Sequence, residues 1–159
     1  MNLQNLKWTK NVDPKNTAPW AYQSFKPGNL FKLAWSKDSE HNANNPQRED
    51  LILLRQHSYV THLVEVLDYK AEHEKWQGDF NIYRIVEVLW SIDWNELPET
   101  LRANELFDYQ LHLEGGNVMS LNMPKFKEHW QNIGGLTAFQ NRVQVTLDRV
   151  SRSRIAASN

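Results

Sequence analysis

Three histidines, a few acid pairs and a set of tryptophans are the side chains in this sequence with chemistry to offer. His57, His62 and His73 have the right atoms for a metal, with Glu65, Glu72 or Glu74 as an oxygen ligand. Their setting argues against it. His62 lies in an alternating apolar run, His57 in a turn and His73 in the polar segment Tyr69 to Lys75, so nothing draws the three imidazoles to one point. Glu49 with Asp50, and Asp93 with Glu96, are the residue types of general acid and base, yet among polar neighbours they read as loop solvation and helix capping. The chain has no cysteine, and so neither thiolate chemistry nor disulfides. It also lacks a glycine-rich phosphate loop, a Gly-x-Ser-x-Gly elbow and a His-Glu-x-x-His pair. The expectation is a binding protein that is not an enzyme and uses neither a metal nor a cofactor.

The aromatic residues, 11% of the chain with seven Trp, are the compositional excess. Indole rings either fill a core or supply flat apolar walls to a ligand. Charge is distributed unevenly. Residues 1–37 carry six Lys against the single acid Asp13, and residues 136–159 carry Arg142, Arg149, Arg152 and Arg154 against Asp148, while the middle is acidic. Two basic ends that meet on one face make a patch suited to phosphates.

These side chains need a scaffold, and 159 residues is the length of one domain. A mean hydropathy of -0.68 with no long apolar run gives no membrane span. The opening MNLQNLKWTK has no apolar stretch after its charges, so a secretory signal is not expected and the compartment read from it is cytoplasmic. Residues 1–29, with Pro14, Pro19, Pro27 and Gly28 and no sustained period, read as an arm docked by Trp8, Trp20, Tyr22 and Phe25 onto a single domain spanning 30–159. Leu30 to Trp35 reads as a strand. Leu51 to Arg55 and Val60 to Leu67 read as a hairpin joined by Gln56-His57-Ser58-Tyr59, and Phe80 to Trp90, rich in branched and aromatic residues, as a central strand. A short helix is expected around Leu97 to Phe107. A further hairpin is expected across Glu114-Gly115-Gly116-Asn117, between Leu111 to Leu113 and Val118 to Leu121. Leu136, Phe139, Val143, Leu147 and Val150 mark one face of a last helix. Together they make an α+β domain built on a bent antiparallel barrel with inserted and C-terminal helices.

The order of these segments resembles the PUA-like superfamily that includes EVE and YTH domains. Leu30-Phe31-Lys32-Leu33-Ala34-Trp35-Ser36-Lys37-Asp38-Ser39-Glu40-His41 is similar to the opening strand and polar loop of those domains. Glu49-Asp50-Leu51-Ile52-Leu53-Leu54-Arg55 and the following Val60 to Val66 resemble their next two strands. Lys75-Trp76-Gln77-Gly78-Asp79-Phe80 is similar to the Lys-Trp-Lys-Gly-x-Phe segment of YTH domains, and Leu111 to Asn117 falls where such domains carry a late Leu-Glu-Asn turn. The resemblance covers about residues 30–130.

What the resemblance implies is a module that binds DNA or RNA carrying a modified, methylated base, flipped into an aromatic pocket. Stacking contributes about 1–3 kcal/mol per base, and a buried methyl adds about 0.8. Trp35 and Trp76 would wall that pocket. Ser36, Lys37 and Asp38 would meet the base edge or phosphate, His57 and Tyr59 would stack at the hairpin tip, and Arg142 and Arg149 would attract the backbone. The resemblance suggests a prokaryotic setting, in defence or RNA modification. The competing expectation is a protein-interaction or assembly subunit that docks another chain through the aromatic arm and the last helix.

Overall fold

The computed structural model describes residues 1–14, 19–74, 81–111 and 115–158. Its elements follow in the order β1 (Leu6–Asn11), β2 (Leu30–Trp35), α1 (Glu40–Ala43), β3 (Leu51–Gln56), β4 (Tyr59–Val66), β5 (Glu72–His73) and β6 (Ile82–Ser91). A single 3-10 turn (Glu99–Leu101), α2 (Ala103–Phe107), β7 (Val118–Ser120), α3 (Pro124–Trp130), a second 3-10 turn (Gln131–Ile133) and α4 (Gly135–Ser158) complete the chain. The strands form one sheet in the order β2-β6-β4-β3-β1-β7, with β5 beside β6.

Three features differ from the sequence expectation. Residues 6–11 do not lie on the domain as an arm but enter the sheet between β3 and β7. The sheet is mixed: β1 runs parallel to β3 because the chain passes through β2 and α1 before returning, a crossover long enough to restore direction. All other pairs are antiparallel. The β3–β4 ladder also continues to Gln56 and Tyr59, which leaves a two-residue turn. His57 and Ser58 both take positive φ there, 50° and 70°, the backbone hand that matches strand twist. Of the expected late hairpin, residues 112–114 lie outside the described residues, and β7 pairs with β1.

Register shifts at Leu6/Trp8, Leu54/Arg55 and Leu63/Val64 strengthen the twist and curl the sheet into a half-barrel. Alternation then sorts the side chains. Leu51, Leu53, Val60, Leu63 and Trp90 face a core covered by α2, α3 and α4, into which Phe139, Val143 and Leu147 insert with no exposed surface. Ile52, Leu54, Val64, Val86 and Val88 face the other cluster, within the curl, where Leu33 and Trp35 of β2 meet Val118 of β7. Strands at opposite ends of the sheet thus share one core. The helix expected from Leu136 to Val150 is present and continues to Ser158.

Candidate functional site

The two sheet edges are held together by one side chain. Asn42 of α1 accepts the Val118 N–H at 2.7 Å and the Trp35 indole N–H at 2.8 Å through Oδ1, and donates through Nδ2 to the Val118 carbonyl at 3.0 Å. It thereby stands in for a missing strand between β2 and β7. Arg84, without exposed surface, fixes the loop that carries Asn42: its Nη1 donates to the carbonyls of Ala43 at 2.9 Å and Pro46 at 2.6 Å, and its Nε to Asp68 at 2.7 Å. Neither Glu65 nor Glu87 pairs with it, and Arg55 donates instead to the Thr9 hydroxyl at 2.8 Å.

Lys10 lies beside this seam. It is 1% exposed, its ammonium stands 4.6 Å from the centroid of the Trp35 ring, and it donates to the Gly116 carbonyl. Burial pushes the amine down to about 7; the nearby Asp13 opposes that shift and Arg55 adds to it. A pocket of about 110 Å³ opens here, lined by Lys10, Asn11, Val12, Asp13, Tyr22, Ala34 and Gly116. Its size is well below the roughly 300–1,000 Å³ of sites for drug-sized ligands, so it admits a single ring or a short chain.

One wall of the pocket comes from the segment Pro19 to Phe25. Gln56 grips it in strand fashion, accepting the Ala21 N–H at 2.6 Å and donating to the Ala21 carbonyl at 3.0 Å. His57 donates from Nε2 to the Pro19 carbonyl at 3.0 Å, and His62 from Nε2 to the Tyr22 carbonyl at 3.1 Å. A carbonyl only accepts, so Nε2 of His62 carries the proton and Nδ1 accepts from the Thr61 hydroxyl at 2.9 Å. Burial holds this imidazole down to about 4, against the effect of the Tyr22 carbonyl. These bonds fix Tyr22 at φ 58°, a left-handed conformation that costs a tyrosine about 1–3 kcal/mol, and bring its ring to 4.3 Å from Phe31. The phenol accepts the Ala34 N–H at 3.0 Å. Trp20 packs against His57 at 4.9 Å and Trp94 at 5.2 Å.

The residues singled out from sequence are dispersed around this frame. Trp35 is fully buried in the curl, a support for Lys10 and not an open wall. Ser36 pairs its hydroxyl with Ser39 at 3.0 Å, and Lys37 and Asp38 are exposed next to it. Trp76 lies outside the described residues; Glu74 and Asn81, which bracket its segment, are joined by a backbone bond of 2.8 Å, and Ile82 pairs with Trp35. His57 anchors the Pro19 segment, while Tyr59 lies under the Arg102 guanidinium at 5.0 Å. Arg142 donates to the carbonyls of Leu106 and Glu105, ending α2, and Arg149 lines a separate pocket of about 250 Å³ with Asp93 and Glu96. The two arginines therefore stand on the helical layer, not at the seam. His73 pairs with Glu40 at 3.1 Å, so the three histidines each have a different partner, and among the described residues no three His, Asp or Glu side chains come together to hold a metal. Asp50 accepts the Trp8 indole at 2.8 Å and the Gln47 N–H at 2.9 Å, a structural role. No helix among the described residues is long and apolar enough to cross a membrane.

Lys10, Tyr22 and Asn42 were not singled out from sequence as site residues. The pattern Trp8-x-Lys10-x-Val12 was a signal for Lys10, a lysine on the inward face of an alternating run. Comparison of the chain with protein-family models, curated proteins and solved structures found no match in any of the three.

Proposed function

We propose that the chain is a PUA-like module that binds nucleic acid and receives a modified base in the seam pocket. The observation that carries this reading is the pocket itself: a space for one ring at the closure of a curled sheet, edged by an amine, an amide, a carboxylate and a phenol. Such groups hydrogen-bond a base edge, and the small volume makes an added methyl group count. The docking elements of the competing reading also favour it. Tyr22 and Phe25 pack on the inner core cluster, Trp20 packs on His57 and Trp94, and Phe139, Val143 and Leu147 of α4 are buried in the other cluster, so these side chains are engaged within the chain.

The test is a titration of oligonucleotides, single- and double-stranded, with and without methylated bases, at two salt concentrations. The expected result is about tenfold tighter binding of one modified species, a difference of 1.4 kcal/mol, with both members of that pair weakened by salt. Asn11→Ala, which removes an amide from the pocket edge, should reduce the preference while leaving binding of the unmodified member near wild type. Equal affinity for every pair, or no binding at low salt, overturns the proposal.

A further inference from the structure

The seam pocket holds a combination of groups that base recognition alone does not require. Lys10 is a primary amine at the wall of a small pocket. Tyr22 shares that wall, and its phenol oxygen accepts from Ala34, so its own proton is uncommitted among the described residues. Asp13 adds a carboxylate. An amine nucleophile, a hydroxyl to polarise an oxygen and a carboxylate to take up a proton are the groups that condense an amine with an aldehyde.

We propose that Lys10 captures an aldehyde in the seam pocket as an imine, the aldehyde being carried on a base or a sugar of the nucleic acid or on a free molecule small enough for the space. The proposal rests on the reading above for its nucleic-acid form, and not for its free-aldehyde form. The Lys10 nitrogen lone pair forms a bond to the carbonyl carbon while the carbon–oxygen π bond opens, and the Tyr22 hydroxyl hydrogen-bonds the developing oxyanion, which takes a proton. The nitrogen releases its proton, the carbinolamine loses water, and a carbon–nitrogen double bond remains. No oxidant or reductant enters, and added water reverses the step.

Three observations bear on whether Lys10 can act in this way. Its burial holds a neutral amine within reach of ordinary pH, where an unperturbed lysine at the same pH has a neutral fraction about a thousandfold smaller. The charged groups that bear on it are Asp13, which favours the ammonium, and Arg55, which disfavours it. The Trp35 ring and the Gly116 carbonyl fix the position of the nitrogen, and Lys10 is one of the residues that line the pocket.

The experiment treats the full chain with glycolaldehyde, and in parallel arms with oligonucleotides bearing a formyl pyrimidine or an abasic sugar, then reduces with borohydride and maps the modified lysine by peptide mass. The expected result is label on Lys10 at least about tenfold above any other lysine, rising as pH is raised through 7. Lys10→Arg should remove that label. Tyr22→Phe keeps the ring against Phe31 but leaves the Ala34 N–H without its acceptor, so its label, scaled to the fraction of chain folded, should form about tenfold more slowly than in wild type. Label spread evenly over the exposed lysines in every arm overturns the proposal. Label on Lys10 with glycolaldehyde but with neither oligonucleotide supports the amine chemistry and overturns its nucleic-acid form. Oligonucleotide binding without any Lys10 label sinks the inference alone and leaves the base-binding proposal standing.

Discussion

Asn42 and Val118, seventy-six positions apart, exchange two hydrogen bonds of 2.7 and 3.0 Å that close the sheet at its open side. The pairing is that of a peptide unit, supplied by a side-chain amide on a four-residue helix. Because Oδ1 also holds the Trp35 indole, a single residue ties β2, β7 and α1.

Replacing Asn42 by Ala therefore removes three bonds and leaves the Val118 N–H, the Val118 carbonyl and the Trp35 indole N–H without partners. Leaving buried polar groups unmet costs about 1–3 kcal/mol each, partly relieved if water enters the opened seam. The expected loss is about 2–4 kcal/mol in urea unfolding. Asn42→Asp keeps the acceptor but places a carboxylate against the Val118 carbonyl, so it should recover little. A loss below about 0.5 kcal/mol for Asn42→Ala would show that the seam is held elsewhere.

His62 gives the fold a dependence on pH with a definite sign. The folded imidazole titrates near 4, below the ordinary value of 6.5, because burial excludes the charged form. Its contribution is therefore complete above pH 6.5 and is lost as pH falls toward 4, where the unfolded chain takes up a proton that the folded chain refuses. The shift corresponds to about 3 kcal/mol. Since Nε2 holds the Tyr22 carbonyl, Trp20 fluorescence should report release of the Pro19 to Phe25 segment in the same range. The comparison that decides it is wild type against His62→Gln by chemical denaturation at pH 7.5 and 4.5. An equal fall in both proteins would assign the loss to other groups.

The last helix was legible because one property, apolar residues at intervals of three and four, is set by backbone geometry and survives any tertiary context. Phe139, Val143 and Leu147 are buried as that spacing requires. Strand β6 was legible for a similar reason, its branched and aromatic residues fitting a pleated surface and little else. Strand β1 was not. Its inward positions are Trp8, Lys10 and Val12, and a lysine breaks an alternation unless burial has suppressed its charge, which depends on strands far away in sequence. Asn42 was hidden among neighbouring asparagines in a turn, where nothing local separates a loop amide from one that closes a sheet. The pocket is a meeting of β1, β2, the Pro19 segment and Gly116, so only the fold brings it together.

Val143 makes the helix reading quantitative. A carboxylate at a position with no exposed surface has no partner in the surrounding apolar cluster, and Val143→Asp should cost several kcal/mol, about 3–5, enough to unfold a marginal domain. Val145→Asp, on the opposite side of the same helix at 45% exposure, should stay within about 0.5 kcal/mol. Similar melting temperatures for the two variants would mean that α4 is not docked on the sheet.

Glu65 and Glu87 face each other as direct cross-strand partners on β4 and β6, an arrangement that sheets ordinarily avoid. Burial, then Glu87, then Glu49 raise the Glu65 carboxyl above its usual value, with Arg48 opposing them. A carboxyl raised in the folded state favours folding while protonated, so the strain is absent in acid and grows as pH rises through the folded value. Glu87→Gln removes one of the two charges and keeps the side-chain volume. It should raise stability at pH 7 by about 0.2–1 kcal/mol, a range set by the partial exposure of both side chains to solvent. The gain should shrink in high salt, which screens the same repulsion, and vanish near pH 3.5, where wild type has already lost its charge. A gain that persists unchanged in acid would point to packing of the amide, and a loss at pH 7 would mean that Glu87 holds a partner worth more than the repulsion it causes.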